Sequence, residues 1–446
     1  SETNGSVGSP IANAINASYS PSTATEGTLY YYVVVTNTNN GAIVNKTATA
    51  KSDTAKIEIS ALLLEGYHNV SFYNAELDLV EIRSIEEGLI DPTDYNNSVS
   101  WYKAEESTPT TEHTLTGNVR FYALPNVHEI YTEADLDNAR NNLLNHNYIM
   151  FNDIELTSAT LDDSEGWEPI GYGIGLNEFF RGVFNGNGYA IRNLWINRST
   201  NYVGLFGYIG GAQIKNLGVE IDNSKGGVKG PYCVGAIAGC VDDNSSITNS
   251  YSTGNVSGDN NVGAIAGYVH NNSSITNSYS TGDVSGTGDY VGGIAGAVGS
   301  SNITNSYSTG NVSGIGRYGY VGGIAGYVVG STIENNAAIN QEINGSAKVN
   351  RIVGDISGSD VQNNFALNTM TTSRGGGFSD AGDPRHRGIS KSDSDLKSQS
   401  TYSNAINGDG LGGLGWKFGN DEDNPWVWGA FDGYPYPTLY WQTEAP

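Results

Sequence analysis

The feature that most restricts what this chain can become is a tandem repeat. The blocks at 202–209 (YVGLFGYI), 233–241 (CVGAIAGCV), 261–269 (NVGAIAGYV), 290–298 (YVGGIAGAV) and 320–328 (YVGGIAGYV) align on Val203, Val234, Val262, Val291 and Val321. A degraded sixth copy lies at Val353-Gly354, and the intervals are 31, 28, 29, 30 and 32 residues. A period of this size marks stacked structural units, each unable to bury its apolar row alone. Every block is followed by a second run, as in SSITNSYSTGNVSG from Ser245 and SSITNSYSTGDVSG from Ser273. Its kernel is Ile or Val, any residue, then Asn.

That kernel recurs at Ile191/Asn193, Ile214/Asn216, Ile247/Asn249, Ile275/Asn277, Ile303/Asn305, Ile333/Asn335 and Val361/Asn363, so seven rungs are visible. Strand side chains alternate between faces. Ile247, Asn249 and Tyr251 are therefore expected to point inward, and Thr248, Ser250 and Ser252 outward. A buried amide without a partner costs on the order of 1–3 kcal/mol. The seven asparagines are thus predicted to satisfy one another as a ladder at one corner, in the manner of stacked amides in cross-β assemblies. At about 4.8 Å per coil the six intervals make a rod of roughly 29 Å. Val291 and Ile294 are three residues apart, so both can be buried only if the chain bends at Gly292-Gly293.

Open strand edges at the ends of such a stack call for caps. Thr132 to Asp135 reads as a helix start, with Leu136, Ala139, Leu143 and Leu144 on one face, covering a first coil that begins near Tyr148-Ile149-Met150. Trp416, Trp426, Trp428 and Trp441 are expected to seal the far end. The organisation that follows is an extended lead over 1–27, either linker or donated strand, and a β-sandwich-like domain over 28–125. After it come a cap with the first coils over 126–190, the repeats over 191–370 and a C-terminal cap over 371–446.

The chain has 446 residues and a formal net charge of −25, from 47 acidic and 22 basic residues. That balance repels phosphate backbones and anionic membranes, which argues against nucleic acid as a partner. No apolar run reaches the roughly 20 residues of a membrane-spanning helix. Ser1 in place of Met fits a removed signal peptide or a trimmed chain alike. Two cysteines, Cys233 and Cys240, cannot staple a scaffold and read as buried thiols or as neighbours across coils. Asn-x-Ser/Thr acceptors occur at Asn4, Asn16, Asn45, Asn69, Asn96, Asn197, Asn244, Asn255, Asn271, Asn272, Asn302, Asn311 and Asn344, which supports export and glycosylation.

The blocks VGGIAGYV and ITNSYSTGNVSG resemble the GLUG repeat of bacterial and archaeal surface proteins, adhesins and the non-catalytic parts of some immunoglobulin-cleaving peptidases. The flanks at 131–156, 166–171, 184–196, 414–419 and 436–441 look like the usual lead-in and tail of such modules, so the resemblance covers about 128–446. It implies an all-β chain, a right-handed parallel β-helix (solenoid) with capping segments, preceded by the sandwich-like domain. It carries over no catalytic residue.

Because β-helices also serve as polysaccharide lyases and glycosidases, catalysis is the competing expectation. Such chemistry needs paired carboxylates, or a basic group beside Ca²⁺ and its acidic ligands. The outward repeat positions are Ser, Thr and Gly, and no acidic column recurs at coil spacing. His128-Glu129 lacks the second histidine of a zinc peptidase motif, since position 132 is Thr. His386 sits in a basic cluster. Acidic groups at Asp162-Asp163, Asp242-Asp243, Asp393/Asp395 and Asp421-Glu422-Asp423 leave Ca²⁺ open as the one cofactor to consider. The expectation is therefore a non-enzymatic, extracellular structural or adhesive surface protein, its partner either itself, as filament or sheath, or glycans and proteins of another cell surface. The alternative is a module that binds or cleaves polysaccharide.

Overall fold

The computed structural model describes residues 67–141, 146–157, 160–162, 164–172, 178–317, 319–372, 378, 384–403, 413–431 and 433–442, together with the backbone of 27–31, 34–38, 47–51 and 55–59. Its centre is a parallel β-solenoid of about seven turns. One turn contains five short strands, for example Tyr290–Gly292, Ala295–Gly299, Asn302–Thr304, Tyr307–Ser308 and Val312–Gly314. Each pairs in parallel with its counterpart one repeat away, so five columns run along the rod. Val203, Val234, Val262, Val291 and Val321 stack in register, as the repeat alignment requires. The next member of that column is Val349, whereas Val353 stacks on Ala325. The sixth copy is thus offset by four residues from the alignment on Val353. Val291 and Ile294 are both fully buried because the chain bends at 293–294 between two strands.

The asparagine kernel lies at a corner for a reason different from the expected one. All seven asparagines adopt left-handed backbone, with φ between 49° and 63°. Residues other than Gly, Asn and Asp lose roughly 1–2 kcal/mol in that conformation. Strand register places six of them, Asn216, Asn249, Asn277, Asn305, Asn335 and Asn363, in one column directly after the paired positions Lys215, Thr248, Thr276, Thr304, Glu334 and Gln362. Asn193 is not among them. Its strand, Ala190–Leu194, pairs with Gly218–Ile221 in the following column, and Gly186 stands beneath Asn216 instead. Nor do the amides form a ladder. Only Asn216 and Asn249 are buried, and the Oδ1 atoms of Asn216, Asn249 and Asn335 have no hydrogen-bond partner. The corner is held by backbone bonds such as Asn249 N to Thr276 O at 3.1 Å and Asn277 N to Thr304 O at 3.2 Å.

The left-handed residue turns the strand and shifts its alternation. Ser250 and Ser252, expected outside, are buried, and so are Ser278, Ser280, Ser306 and Ser308. They carry the ladder that the asparagines do not. Ser250 N donates to Ser278 Oγ at 3.3 Å, Ser278 N to Ser306 Oγ at 3.2 Å, and Ser306 N to Asn336 Oδ1 at 2.9 Å. A second ladder runs through Ser245, Ser273, Ser301, Ser331 and Ser359 at 3.1–3.2 Å per step. Across the interior, Ser280 Oγ donates to Gly293 O at 2.7 Å. Small hydroxyls are what fits there, since each fills one otherwise open backbone valence at a tight corner.

Tyr251, Tyr279 and Tyr307 consequently face out of the coil, stacked on one another at 5.3 and 4.8 Å. They are buried all the same, because the C-terminal segment lies over them. Trp441 stacks on Tyr251 and donates from Nε1 to Asn249 O. Trp426 packs on Tyr279 and Tyr307, and Trp416 donates to Asn335 O at 2.7 Å. The expected end plug is therefore a strap along the flank, running back from the later coils to the earlier ones. Its Glu422 reaches Lys215 and Asn216. An outward aromatic column is an apolar stripe that must be covered, and this fixes where the tryptophans go. The far end is closed instead by 384–391: Ile352 N donates to His386 O, and Ile389–Lys391 pairs with Phe365–Leu367.

At the other end the rod begins one strand earlier than expected, at Val127–Ile130, which pairs in parallel with Asn147–Met150. Thr132 and Asp135 form a reciprocal capping box on the helix Glu133–Asn138, which buries Leu136. Ala139, also buried, follows in a short 3₁₀ turn, while Leu143 and Leu144 lie outside the described residues. Among the described residues of 28–125 the pairing gives four small sheets of two or three strands, and no facing pair of sheets is seen among them. The largest joins Leu79–Glu86, Tyr67–Tyr73 and Val119–Tyr122 over Val70, Phe72, Trp101, Leu115 and Phe121. Tyr73, Leu77 and Tyr122 pack against Val127, Ile149 and Val183 of the first coils.

Candidate functional site

The Val-Ser-Gly runs at the end of three successive repeats lie on a face that, among the described residues, the strap leaves uncovered. In Val256–Gly263, Val284–Gly286 and Val312–Gly314 the valine is buried in the core. The glycine is packed from within: a Cβ on Gly286 would lie 2.4 Å from Val291 Cγ2, and one on Gly230 would lie 2.5 Å from Val203 Cγ2. Only the serine points outward. Lys229, Ser257, Ser285 and Ser313 stand in strand register, one above another.

A turn rises beside this floor. Thr287 N donates to Gly258 O at 2.9 Å, Ile315 N to Gly286 O at 3.0 Å, and the Thr287 hydroxyl donates to Asp259 Oδ1. Floor, turn and the 197–199 segment enclose an open groove of about 480 Å³, within the range of ligand sites. Arg198 at one end is committed elsewhere, donating to Trp167 O at 2.9 Å, Gly166 O at 3.1 Å and Glu165 Oε2 at 2.9 Å. Ile315 at the other end is 74% exposed. The groove offers a row of hydroxyls at rung spacing, with hydrogen-bond donors and acceptors.

The other candidate groups fall apart from it. Cys233 and Cys240 are buried free thiols, and burial pushes the Cys233 thiol up to about 12. Asn261 Nδ2 lies 3.6 Å from Cys233 Sγ, and Cys240 Sγ is 3.4 Å from His270 Nε2, which also faces Asp242 at 3.3 Å. Because both contacts fall on one imidazole nitrogen, the ring cannot relay between thiol and carboxylate. His128 stacks on His146, with a nitrogen contact of 2.6 Å, while Glu129 binds Tyr122 and Tyr131. His386 contacts Val353 O through its ring.

The acidic groups do local work. Asp162 holds the Ser164 turn, Asp395 accepts from the backbone N of Ser392, the N-cap of the helix Asp393–Leu396, and Asp421 accepts from Asn424. Among the described residues no cluster of three or more His, Cys, Asp or Glu is arranged to hold a metal ion. None of their helices is long and apolar enough to cross a membrane. Of the acceptor asparagines, Asn96, Asn197, Asn244, Asn255, Asn271, Asn272, Asn302 and Asn311 are exposed and Asn69 and Asn344 half-buried. Asn4, Asn16 and Asn45 lie outside the described residues. The groove itself was not singled out from the sequence, although the serine of each VSG run was the signal for it.

The GLUG motif matches at residues 230–257 and 258–285, two successive turns of this solenoid. A curated protein of Evansella cellulosilytica, named "Putative Gly-rich membrane protein", is 41% identical over 129 residues, or 27% of this chain. The match spans 14% of that relative's length. A solved structure titled a "putative immunoglobulin A1 protease" from Bacteroides ovatus superposes with a TM-score of 0.54 at 23% identity, covering 70% of this chain and 92% of that one. A second, titled "IgA1 Protease", gives a TM-score of 0.34 at 14% identity, over 70% of this chain and 25% of its own. With the first of these, the likeness is one of fold.

Proposed function

We propose that this GLUG-bearing β-solenoid is an extracellular, non-enzymatic adhesive module, a rigid rod that presents the serine-floored groove to a partner on another surface. The observation that carries the reading is the asymmetry of the rod's flanks. One is sealed by the chain's own aromatic strap, while another carries an outward hydroxyl at three successive turns, Ser257, Ser285 and Ser313, and is left uncovered by the strap. A wound sheet keeps those groups at fixed spacing without ordering cost at binding, which is what a recognition surface needs. The exposed acceptor asparagines are compatible with glycosylation of such a surface.

Growth into a filament by coil-on-coil stacking is disfavoured, because both terminal turns are engaged by flanking segments. Strand donation from the lead over 1–27 is the polymer route put to the test. The test uses the full chain immobilised on beads and presented to cells from a range of microbial and host sources. Selective capture that is lost when the groove is blocked is the expected result. Fibres in electron micrographs that vanish on deleting 1–27, with no cell capture, would establish the structural alternative.

A further inference from the structure

We infer that the occupant of the groove is a neutral, hydroxyl-rich polysaccharide lying along the rod axis. The inference rests on the adhesive reading above and adds the chemistry of the partner.

Three features select that class. First, the floor repeats. Asn197, Lys229, Ser257, Ser285 and Ser313 are register partners, and four rung intervals of about 4.8 Å give a track of roughly 19 Å. The matching ligand is a polymer with a polar group recurring at comparable spacing, as sugar hydroxyls do along an extended chain.

Second, the floor is made of side chains. The backbone groups of these strands are spent on parallel pairing to the turns on either side, so a peptide strand finds no edge to extend. Hydroxyls that both donate and accept suit another hydroxylated surface.

Third, the charge is wrong for a polyanion. Arg198 is held by Glu165 and two carbonyls, Asp259 adds negative charge beside the track, and the whole chain carries −25. An acidic glycan would meet Lys229 as the one basic group of the floor and a repelling field beyond it.

The test is affinity electrophoresis and calorimetry of the full chain with unbranched β-glucan, α-mannan and galactan, and with pectin and heparin as polyanions. Wild type is expected to be retarded by at least one neutral polymer. Ser285→Trp, which fills the groove from an exposed position, is expected to weaken that binding at least tenfold. Asn302→Trp, an exposed change in the asparagine-bearing column, is expected to leave it unchanged, and both variants should keep the wild-type melting temperature. Retardation by the polyanions alone, or equal binding by Ser285→Trp, overturns the inference. Cell capture that persists with no neutral polymer bound overturns the ligand class while the adhesive reading stands. Absence of both capture and polymer binding overturns the two together.

Discussion

The tyrosine flank and the serine flank are built from the same repeat, yet one is hidden and the other is not. On the first, Tyr251, Tyr279 and Tyr307 leave the coil and are covered by Trp416, Trp426 and Trp441. On the second, Ser257, Ser285 and Ser313 leave the coil and meet solvent. The contrast teaches that outward chemistry, rather than the stack itself, decides which faces the chain must close. An apolar column demands a cover, whereas a hydroxyl column tolerates water and can exchange it for a partner.

Removing the cover is the harshest way to break this contrast. Trp426 is fully buried and stacks on Trp416 at 4.6 Å. Trp426→Ala is expected to cost about 3–5 kcal/mol, with detachment of the strap read out as faster hydrogen exchange in the tyrosine-bearing strands. A wild-type exchange pattern in that variant would show that the strap is not what hides the flank. Inside the same corner, Ser278 Oγ accepts from Ser250 N and donates to Thr276 O. Ser278→Ala should therefore destabilise by roughly 1–3 kcal/mol in chemical denaturation. Asn305→Ala should cost about 1–2 kcal/mol through its left-handed backbone, while Asn305→Gly should recover most of it. Equal losses in the two variants would mean that the amide, not the backbone, matters.

The strap also has a pH signature. Burial, followed by the neighbouring Asp78, holds the Glu422 carboxyl above its ordinary value of 4.5, against the pull of Asn216 and Lys215. The folded state therefore keeps its proton longer than the unfolded one, and stability falls as pH rises from 4.5 through the raised value. Glu422→Gln is expected to flatten that fall in the melting temperature, and an unchanged slope would locate it elsewhere. The mildest change is Ser285→Ala on the open flank, which should alter stability by no more than about 0.5 kcal/mol.

The repeat period made the solenoid readable before any coordinates, because an apolar row that recurs every thirty residues has few other ways to be buried. The corner was harder. Alternation predicts sides only along a straight strand, and one left-handed residue at Asn249 inverts the sides of Ser250, Tyr251 and Ser252. The asparagine was legible, but its role was misassigned: it is chosen for its backbone, while the serine beside it makes the inter-coil bonds. Position 193 shared the kernel without sharing the column, since spacing alone does not report register. The strap was legible only as a surplus of tryptophan, because a contact between Trp441 and Asn249 spans 192 positions and leaves no local pattern. The groove was missed because its serine looked like any solvated strand position until glycine and valine were seen to pack beneath it.

The return of the strap has a consequence for how the molecule is made. Turns can wind one upon another as the chain leaves the ribosome, each needing only the turn just finished. The oldest part of the tyrosine flank, however, waits for residues far along the chain, with Glu422 closing onto Asn216 from 206 positions downstream. Until then the nascent rod shows a bare aromatic stripe, so synthesis that stalls before Trp416, Trp426 and Trp441 leaves a sticky intermediate, and arrival of the strap is the event that covers it.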